Sequence, residues 1–364
     1  MFFQRSLALL LALLLTACAS APPTFNITPA EEPNSGERLT WPEPPDPARY
    51  AYVGQLLGEQ NFRTPTDTMS TAEKVFRWIV GLGNGDREPT VMRRPNAIAK
   101  GPGGRIFITD MGRPSVFVFD TATPELTVWN QAVIGQPFLG PSGIEALPGG
   151  DVLVADAEMG AVFRLGADGT PRGRFGDDVL QRPAGLAWDD ERSLLYVADV
   201  GAHNIKVFNG EGAHLHTLGG PGTDPGRFNA PSHLAVSKQG IYVTDTFNAR
   251  VQHLDPAGEL LEIIGTRGLY VGNLVRPKGV AVDGAGHVYV VESYYNRMLV
   301  FDAEGRFLMP LATDNSPLGR LYLPADVLVD DQQRVYLVDM FNGRVLIFQY
   351  LDQEDMEVLS VLRP

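Results

Sequence analysis

The chain has 364 residues and a formal net charge of −13; 44% of its residues are hydrophobic and 20% charged. That acidity argues against nucleic-acid binding and against broad adhesion to anionic lipid. The length would suit two or three ordinary domains, but an internal repeat assigns most of it to one closed domain.

Met1 to Ala17 is predicted to be a targeting segment. Arg5 supplies its positive end, and Leu7 to Leu15 is too short an apolar run to span a bilayer comfortably. Leu15-Thr16-Ala17-Cys18 resembles the lipobox of bacterial lipoproteins, which implies acylation at Cys18, the sole cysteine. One cysteine leaves no disulfide framework. Removing residues 1–17 removes Arg5 and no acid, so the net charge becomes −14. Ala19 and Ser20 follow without an aspartate. By resemblance to Gram-negative sorting rules, that favours the outer membrane, facing the periplasm.

Residues 18–48 carry eight prolines among Glu and Ser and are expected to form a disordered tether. Residues 49–92 are expected to hold a closing strand and a short amphipathic helix. The strand is Tyr50 to Gly58, a candidate for the outer strand of the last repeat, with Met356 to Leu362 as its rival. The helix follows a capping box, Ser70-Thr71-Ala72-Glu73, and sets Ala72, Val75, Phe76 and Ile79 on one face. Its expected place is packed on the face or rim of the repeat domain.

Residues 93–364 contain six in-phase units. A short strand-like run in each ends on a carboxylate: Asp110, Asp156, Asp199, Asp245, Glu292 and Asp339, at spacings of 46, 43, 46, 47 and 47. A proline opens each unit, at Pro95, Pro141, Pro183, Pro231, Pro277 and Pro324. A second apolar run begins six residues after each carboxylate. Several short strands per unit, with Gly/Pro turns, predict an all-β fold: a six-bladed β-propeller of four-stranded antiparallel blades.

Val243-Thr244-Asp245-Thr246-Phe247-Asn248-Ala249-Arg250-Val251 resembles the NHL repeat, as does Leu337 to Val345 with Asn342 and Arg344 in the same places. The resemblance covers Arg93 to Gln349, 257 of the 364 residues. With the lipobox and the tether, it implies an NHL-type propeller lipoprotein of bacterial type. Units 1 to 3 depart from the Asn-x-Arg element: Arg113-Pro114-Ser115, Met159-Gly160-Ala161 and Ala202-His203-Asn204 replace it.

The six carboxylates are expected to be structural, accepting backbone N–H bonds from the following turn and pairing with an Arg five residues on. Individuality lies just after each blade proline. There the second position is Ala97, Gly143, Gly185 or Gly279 in four blades, which would leave the channel mouth open, and His233 or Asp326 in the other two. His233, Asp326, Lys278 and Asn96 are therefore the candidate ligand contacts around the mouth.

Among NHL-like propellers, amidating lyases hold zinc with histidines from different blades, and related calcium-dependent lactonases use carboxylates and Asn. The chain has six histidines, of which only His233 lies near a blade start, and no Glu sits beside it there. A catalytic zinc needs three protein ligands. No nucleophile elbow or His-Glu-x-x-His is present. No catalytic residue, metal site or cofactor is assigned, with Ca²⁺ the one ion the mouth carboxylate would suit. The sequence favours a membrane-tethered periplasmic scaffold that binds a protein, peptide or glycan. A metal-assisted hydrolase or lyase with its site at the channel mouth is the alternative.

Overall fold

The structure, a computed structural model, describes residues 25–27, 39–43, 45–62, 88–123, 125–312, 318 and 320–352. The targeting segment, Cys18, the helix expected from Ser70 and the rival closing strand from Met356 lie outside the described residues.

Six antiparallel sheets form the blades. Blade 1 runs Pro95–Lys100, Ile106–Asp110, Ser115–Phe119 and Thr127–Trp129. Blade 4 runs Pro231–Ser237, Gly240–Asp245, Arg250–Leu254 and Leu260–Ile264. The first strand of each is innermost. The second and third strands are packed on both faces by neighbouring blades. Accordingly Ile106–Asp110 and Val152–Asp156 are buried at every residue and read as continuous runs, not alternations. The fourth strand of blade 3 faces water: five of six residues in His214–Gly219 are exposed.

Blade 6 closes the ring with chain from the other end. Its strands Val327–Val329, Arg334–Asp339 and Arg344–Tyr350 are joined by Tyr50–Leu56. Tyr50 pairs with Tyr350 and Leu56 with Val345. The Tyr50 candidate is thus the fourth strand, but it is not outermost. Thr40–Trp41 adds a fifth strand beyond it, with Thr40 opposite Ala51.

That strand corrects the tether. Trp41 is buried and meets Phe348 edge-on at 5.3 Å between ring centroids. Further upstream, Phe25 bridges to Phe62 and packs its ring 5.4 Å from it. The Asn26 N–H donates to the Asn61 carbonyl at 2.6 Å. The apolar residues Phe25, Ile27, Leu39 and Trp41, hidden in a Pro/Glu-rich stretch, find partly covered blade surface to pack on. Burial of a large aromatic outweighs a composition that reads as disordered.

Candidate functional site

The six strand-end carboxylates are all fully buried. Each reaches back to the backbone just ahead of its own blade's first strand. Asp110 accepts the Arg93 and Arg94 N–H groups at 2.6 and 3.0 Å. Asp156 and Asp199 do the same with Leu139 and Gly140, and with Gln181 and Arg182. Glu292 holds Val275 and Arg276. In blades 1 to 3 the carboxylate also accepts two N–H groups from the turn that follows, such as Gly112 and Arg113.

Blades 4 and 6 wire this differently. One oxygen takes Asn229 N–H or Tyr322 N–H, while Oδ2 takes an arginine five residues on. Arg250 Nε lies 2.8 Å from Asp245 Oδ2, and Arg344 Nε 2.8 Å from Asp339 Oδ2. The N–H thereby left over at each junction is taken by the preceding blade. His203 Nδ1 accepts from Ala230 at 3.0 Å and Asn296 Oδ1 from Leu323 at 2.8 Å, both from left-handed backbone. Arg297 has the same spacing from Glu292, yet its guanidinium stands 4.5 Å over the Tyr295 ring.

Around the channel, two of the four candidates tie blades together. Asn96 Nδ2 donates to the Ser142 carbonyl of blade 2 at 2.5 Å. Asp326 Oδ2 accepts the Ile98 N–H of blade 1 at 3.1 Å, and Oδ1 accepts Val327 N–H at 2.9 Å. His233 Nε2 faces Asp326 Oδ1 at 4.0 Å, beyond hydrogen-bond reach. Its Nδ1 is 3.1 Å from Ser232 Oγ. Lys278 is partly buried on the same rim.

The small residues beside them have a different cause from an open mouth. A Cβ on Gly143 would sit 1.9 Å from the Ala184 carbonyl oxygen, and one on Gly279 2.5 Å from Asp326 Cα. The next blade's backbone occupies that space, so glycine is required for the blades to approach.

The channel encloses about 230 Å³ and is lined by both His233 and Asp326. It also holds Glu145, which sequence reasoning missed. Glu145 lies two residues below Gly143 on one strand, and period-two alternation brings both to the channel side. The corresponding places in other blades are Ala99, Ala187, Ala235, Ala281 and Leu328. Burial raises Glu145 to about 7, with the Asp326 charge adding to it. Burial likewise pushes Asp326 up to about 7 against its two N–H donors. Burial, helped by the Lys278 charge, lowers His233 to about 3. At neutral pH the channel therefore holds an uncharged imidazole and two carboxyls that each gain or lose a proton near that pH.

On the same face, the second residue after each carboxylate divides the ring in half. Blades 1 to 3 have Gly112, Glu158 and Gly201 there; blades 4 to 6 have Phe247, Tyr294 and Phe341. These three rings are 52, 55 and 42% exposed, and Tyr322 beside Phe341 is 54% exposed. The connection into blade 5 adds Leu269, Tyr270 and Val271, all exposed. Arginines preceding the blade prolines reach across alternate junctions to this position. Arg276 lies 5.9 Å over Phe247, Arg94 lies 5.1 Å over Phe341, and Arg182 pairs with Glu158 at 2.8 Å. The aromatic half was readable in the sequence two places after each carboxylate, where Asn-x-Arg drew attention instead.

One further arrangement resembles a catalytic dyad and is blade hardware. His287 Nδ1 lies 2.7 Å from Asp283 Oδ2, which also accepts from Tyr289. Blade 6 repeats it with Asp330, Arg334 and Tyr336 at the same spacings. Among the described residues no group of three or more His, Cys, Asp or Glu could hold a metal ion. No described helix is long and apolar enough to cross a membrane.

No protein-family model matches the chain. NHL repeat-containing protein 2 of Gallus gallus is 35% identical over 96 residues, 23% of this chain and 13% of that protein. The Bos taurus protein of that name is 35% identical over 117 residues, 29% of this chain and 15% of its own length. The match thus spans a small part of these relatives. Among solved structures, a gluconolactonase of Xanthomonas campestris superposes with a TM-score of 0.54 at 16% identity, covering 71% of this chain and 87% of that one. Virginiamycin B lyase from Staphylococcus aureus gives 0.53 at 10%, covering 71% and 95%. Such identities carry the fold alone. The chain is a six-bladed β-propeller. Its blades are similar to NHL repeats, most closely around Asp245 and Asp339.

Proposed function

We propose that this propeller is a cell-envelope scaffold, tethered to the outer membrane through acylated Cys18, whose channel-mouth face docks a protein or peptide partner in the periplasm. The observation that carries the docking reading is the half-ring of exposed Phe247, Tyr294, Tyr322 and Phe341. Exposed aromatic side chains with arginines among them are the composition of binding hot spots. Exposed Leu269 and Val271 suit a polypeptide better than a sugar. The Leu15-Thr16-Ala17-Cys18 motif supports the anchor.

A photo-crosslinker at Tyr294 should capture a specific envelope protein, and the capture should be lost in Phe247→Ser/Phe341→Ser. Unchanged capture in that variant would sink the docking face. Cys18→Ser should release the protein from membranes; persistent tight association would overturn the anchor.

The second reading is a metal-assisted hydrolase or lyase in the channel, for which His233, Asp326 and Glu145 line one cavity without forming a ready-made ligand group. Stoichiometric Ca²⁺ or Zn²⁺ in the purified protein, lost on Asp326→Asn, would replace the scaffold reading with this one.

A further inference from the structure

His233 is the one imidazole on the channel wall, and its hydrogen bonds fix which nitrogen carries the proton. Nδ1 lies 3.1 Å from Ser232 Oγ. Ser232 Oγ lies 2.8 Å from Thr246 Oγ1 and 3.1 Å from Thr244 Oγ1. Both threonine hydroxyls donate to carbonyls, Thr246 to Pro277 at 2.9 Å and Thr244 to His233 at 3.2 Å. A carbonyl can only accept, so the Ser232 proton goes to a threonine. His233 Nδ1 therefore donates to Ser232, and the lone pair of the neutral ring is on Nε2.

His233 is 8% exposed, and among the described residues no hydrogen bond reaches Nε2. That lone pair faces Asp326 Oδ1 at 4.0 Å inside the channel. Two acceptors thus face one another, too far apart to share a proton directly. On the same wall Glu145 accepts the Ala146 N–H at 3.1 Å and the Trp188 N–H at 3.4 Å. The channel's own cation is engaged elsewhere: Lys100, the one lysine or arginine in the lining, pairs with Asp330 and Asp331. Lys278, whose charge reaches His233, stands outside the lining.

The width of the gap selects what bridges it. A donor atom about 2.8 Å from each acceptor sees the two at roughly 90°, near the angle between two N–H bonds of one ammonium. A zinc ion about 2.1 Å from each would need them spread to roughly 145°, well beyond a tetrahedral angle. The walls alongside are small and apolar, with Ala97, Ala99, Ala187, Ala235 and Ala281. The channel volume of about 230 Å³ is below the roughly 300–1,000 Å³ of pockets for drug-sized ligands. We propose that the channel binds a primary ammonium on a slim alkyl stem, held by His233 Nε2 and Asp326 Oδ1, with Glu145 supplying a second negative charge. That group belongs either to a small alkylamine or to a lysine side chain of a polypeptide at the mouth. The site is separate from the aromatic docking face and does not depend on it.

The test is isothermal titration calorimetry of the full-length chain at about pH 8, where both carboxyls are mostly ionised. It compares n-butylammonium with butan-1-ol, which has a donor but no charge, and with butyltrimethylammonium, which has the charge but no donor. Butylammonium should bind about tenfold tighter or more than either. His233→Leu and Asp326→Asn should each weaken it by about the same factor, and Glu145→Gln by about threefold. Glu158→Gln removes an exposed acid on the same face and should leave it unchanged. Thermal melts establish that each variant is folded, and the comparison of ligands on the unaltered chain needs no variant. A short capped peptide with one central lysine, and its Nε-acetyl-lysine form, identify the source. Tighter binding of the lysine peptide than of butylammonium, lost on acetylation, identifies a polypeptide side chain; the reverse order identifies a free amine.

Equal binding of the three small ligands, or unchanged affinity in folded His233→Leu and Asp326→Asn, would overturn the proposal. So would a chain that binds neither butylammonium nor the lysine peptide in the millimolar range. Stoichiometric Ca²⁺ or Zn²⁺ that displaces butylammonium and is lost in Asp326→Asn would overturn it in favour of a metal in the channel.

Discussion

Arg276 of blade 5 lies 5.9 Å over the Phe247 ring of blade 4, and Arg94 lies 5.1 Å over Phe341 of blade 6 in the equivalent place. Between blades 2 and 3 the same geometric position is an ion pair, Arg182 to Glu158. One cross-junction contact thus recurs at every second junction with two different chemistries. An exposed cation–π contact contributes about 0.5–1 kcal/mol. Arg276→Ala is expected to lower stability by about that much. Hydrogen exchange should speed up at the Thr246–Asn248 turn and stay unchanged at the Met340–Asn342 turn, where Arg94 is intact.

Asp245 should be far more sensitive. Its carboxylate is fully buried and is shared by Asn229 N–H, Asn248, Arg250 and Gln252. Asp245→Ala strands the mostly buried Arg250 charge and several donors, a loss of about 3–5 kcal/mol. Urea denaturation measures it. A loss under about 1 kcal/mol would show that water replaces the carboxylate.

The channel acids give stability a pH dependence of defined sign. Asp326 sits at about 7 in the folded chain against an ordinary value of about 3.9. Folding favours the protonated form, so this contribution is complete below about pH 4 and is lost as pH rises through 7. Glu145 acts in the same direction. His233 acts oppositely: held at about 3, its contribution is complete above about pH 6.5 and lost as pH falls through 3. Asp326→Asn should therefore gain on the wild type by about 2 kcal/mol between pH 5 and pH 8, read from urea midpoints at both. A constant difference across that range would exclude a raised Asp326.

The outer strands of blade 6 allow a truncation test. Deleting residues 1–24 keeps Phe25, Trp41 and Tyr50–Leu56, and the remaining chain should melt within a few degrees of the whole. Deleting residues 1–56 uncovers the edge of Arg344–Tyr350 together with the buried Phe348. Open, apolar sheet edges aggregate, so this form should be recovered as insoluble material or as oligomers on size-exclusion chromatography. Trp41→Ala in the full chain should cost about 3–5 kcal/mol.

The repeat was legible because every blade needs the same proline, the same carboxylate and two buried runs. Six copies of one constraint leave a phase that no single copy would show. Tyr50–Leu56 was legible as a strand that could close the last blade. Thr40–Trp41 was not, since a two-residue strand leaves no periodicity and its neighbours are Pro and Glu. The role of Asn96 was hidden for a different reason: its acceptor, Ser142, lies in the next blade, 46 residues on. Glu145 could have been found by stepping two residues from Gly143. The glycines at 143 and 279 looked like room for a ligand, whereas they are places where two backbones nearly touch.

Tyr50 and Tyr350 are paired across 300 positions of chain. A ribosome that has made only the first five blades has given Tyr50–Leu56 nothing to lie against. The strand made first must wait for the strand made last, and loop closure over that length is slow. The ring consequently has a direction in time: blades can form one by one from the N-terminal side, but sealing belongs to the finished chain. Any event that acts on the nascent protein meets an open arc of blades with one loose strand at its start.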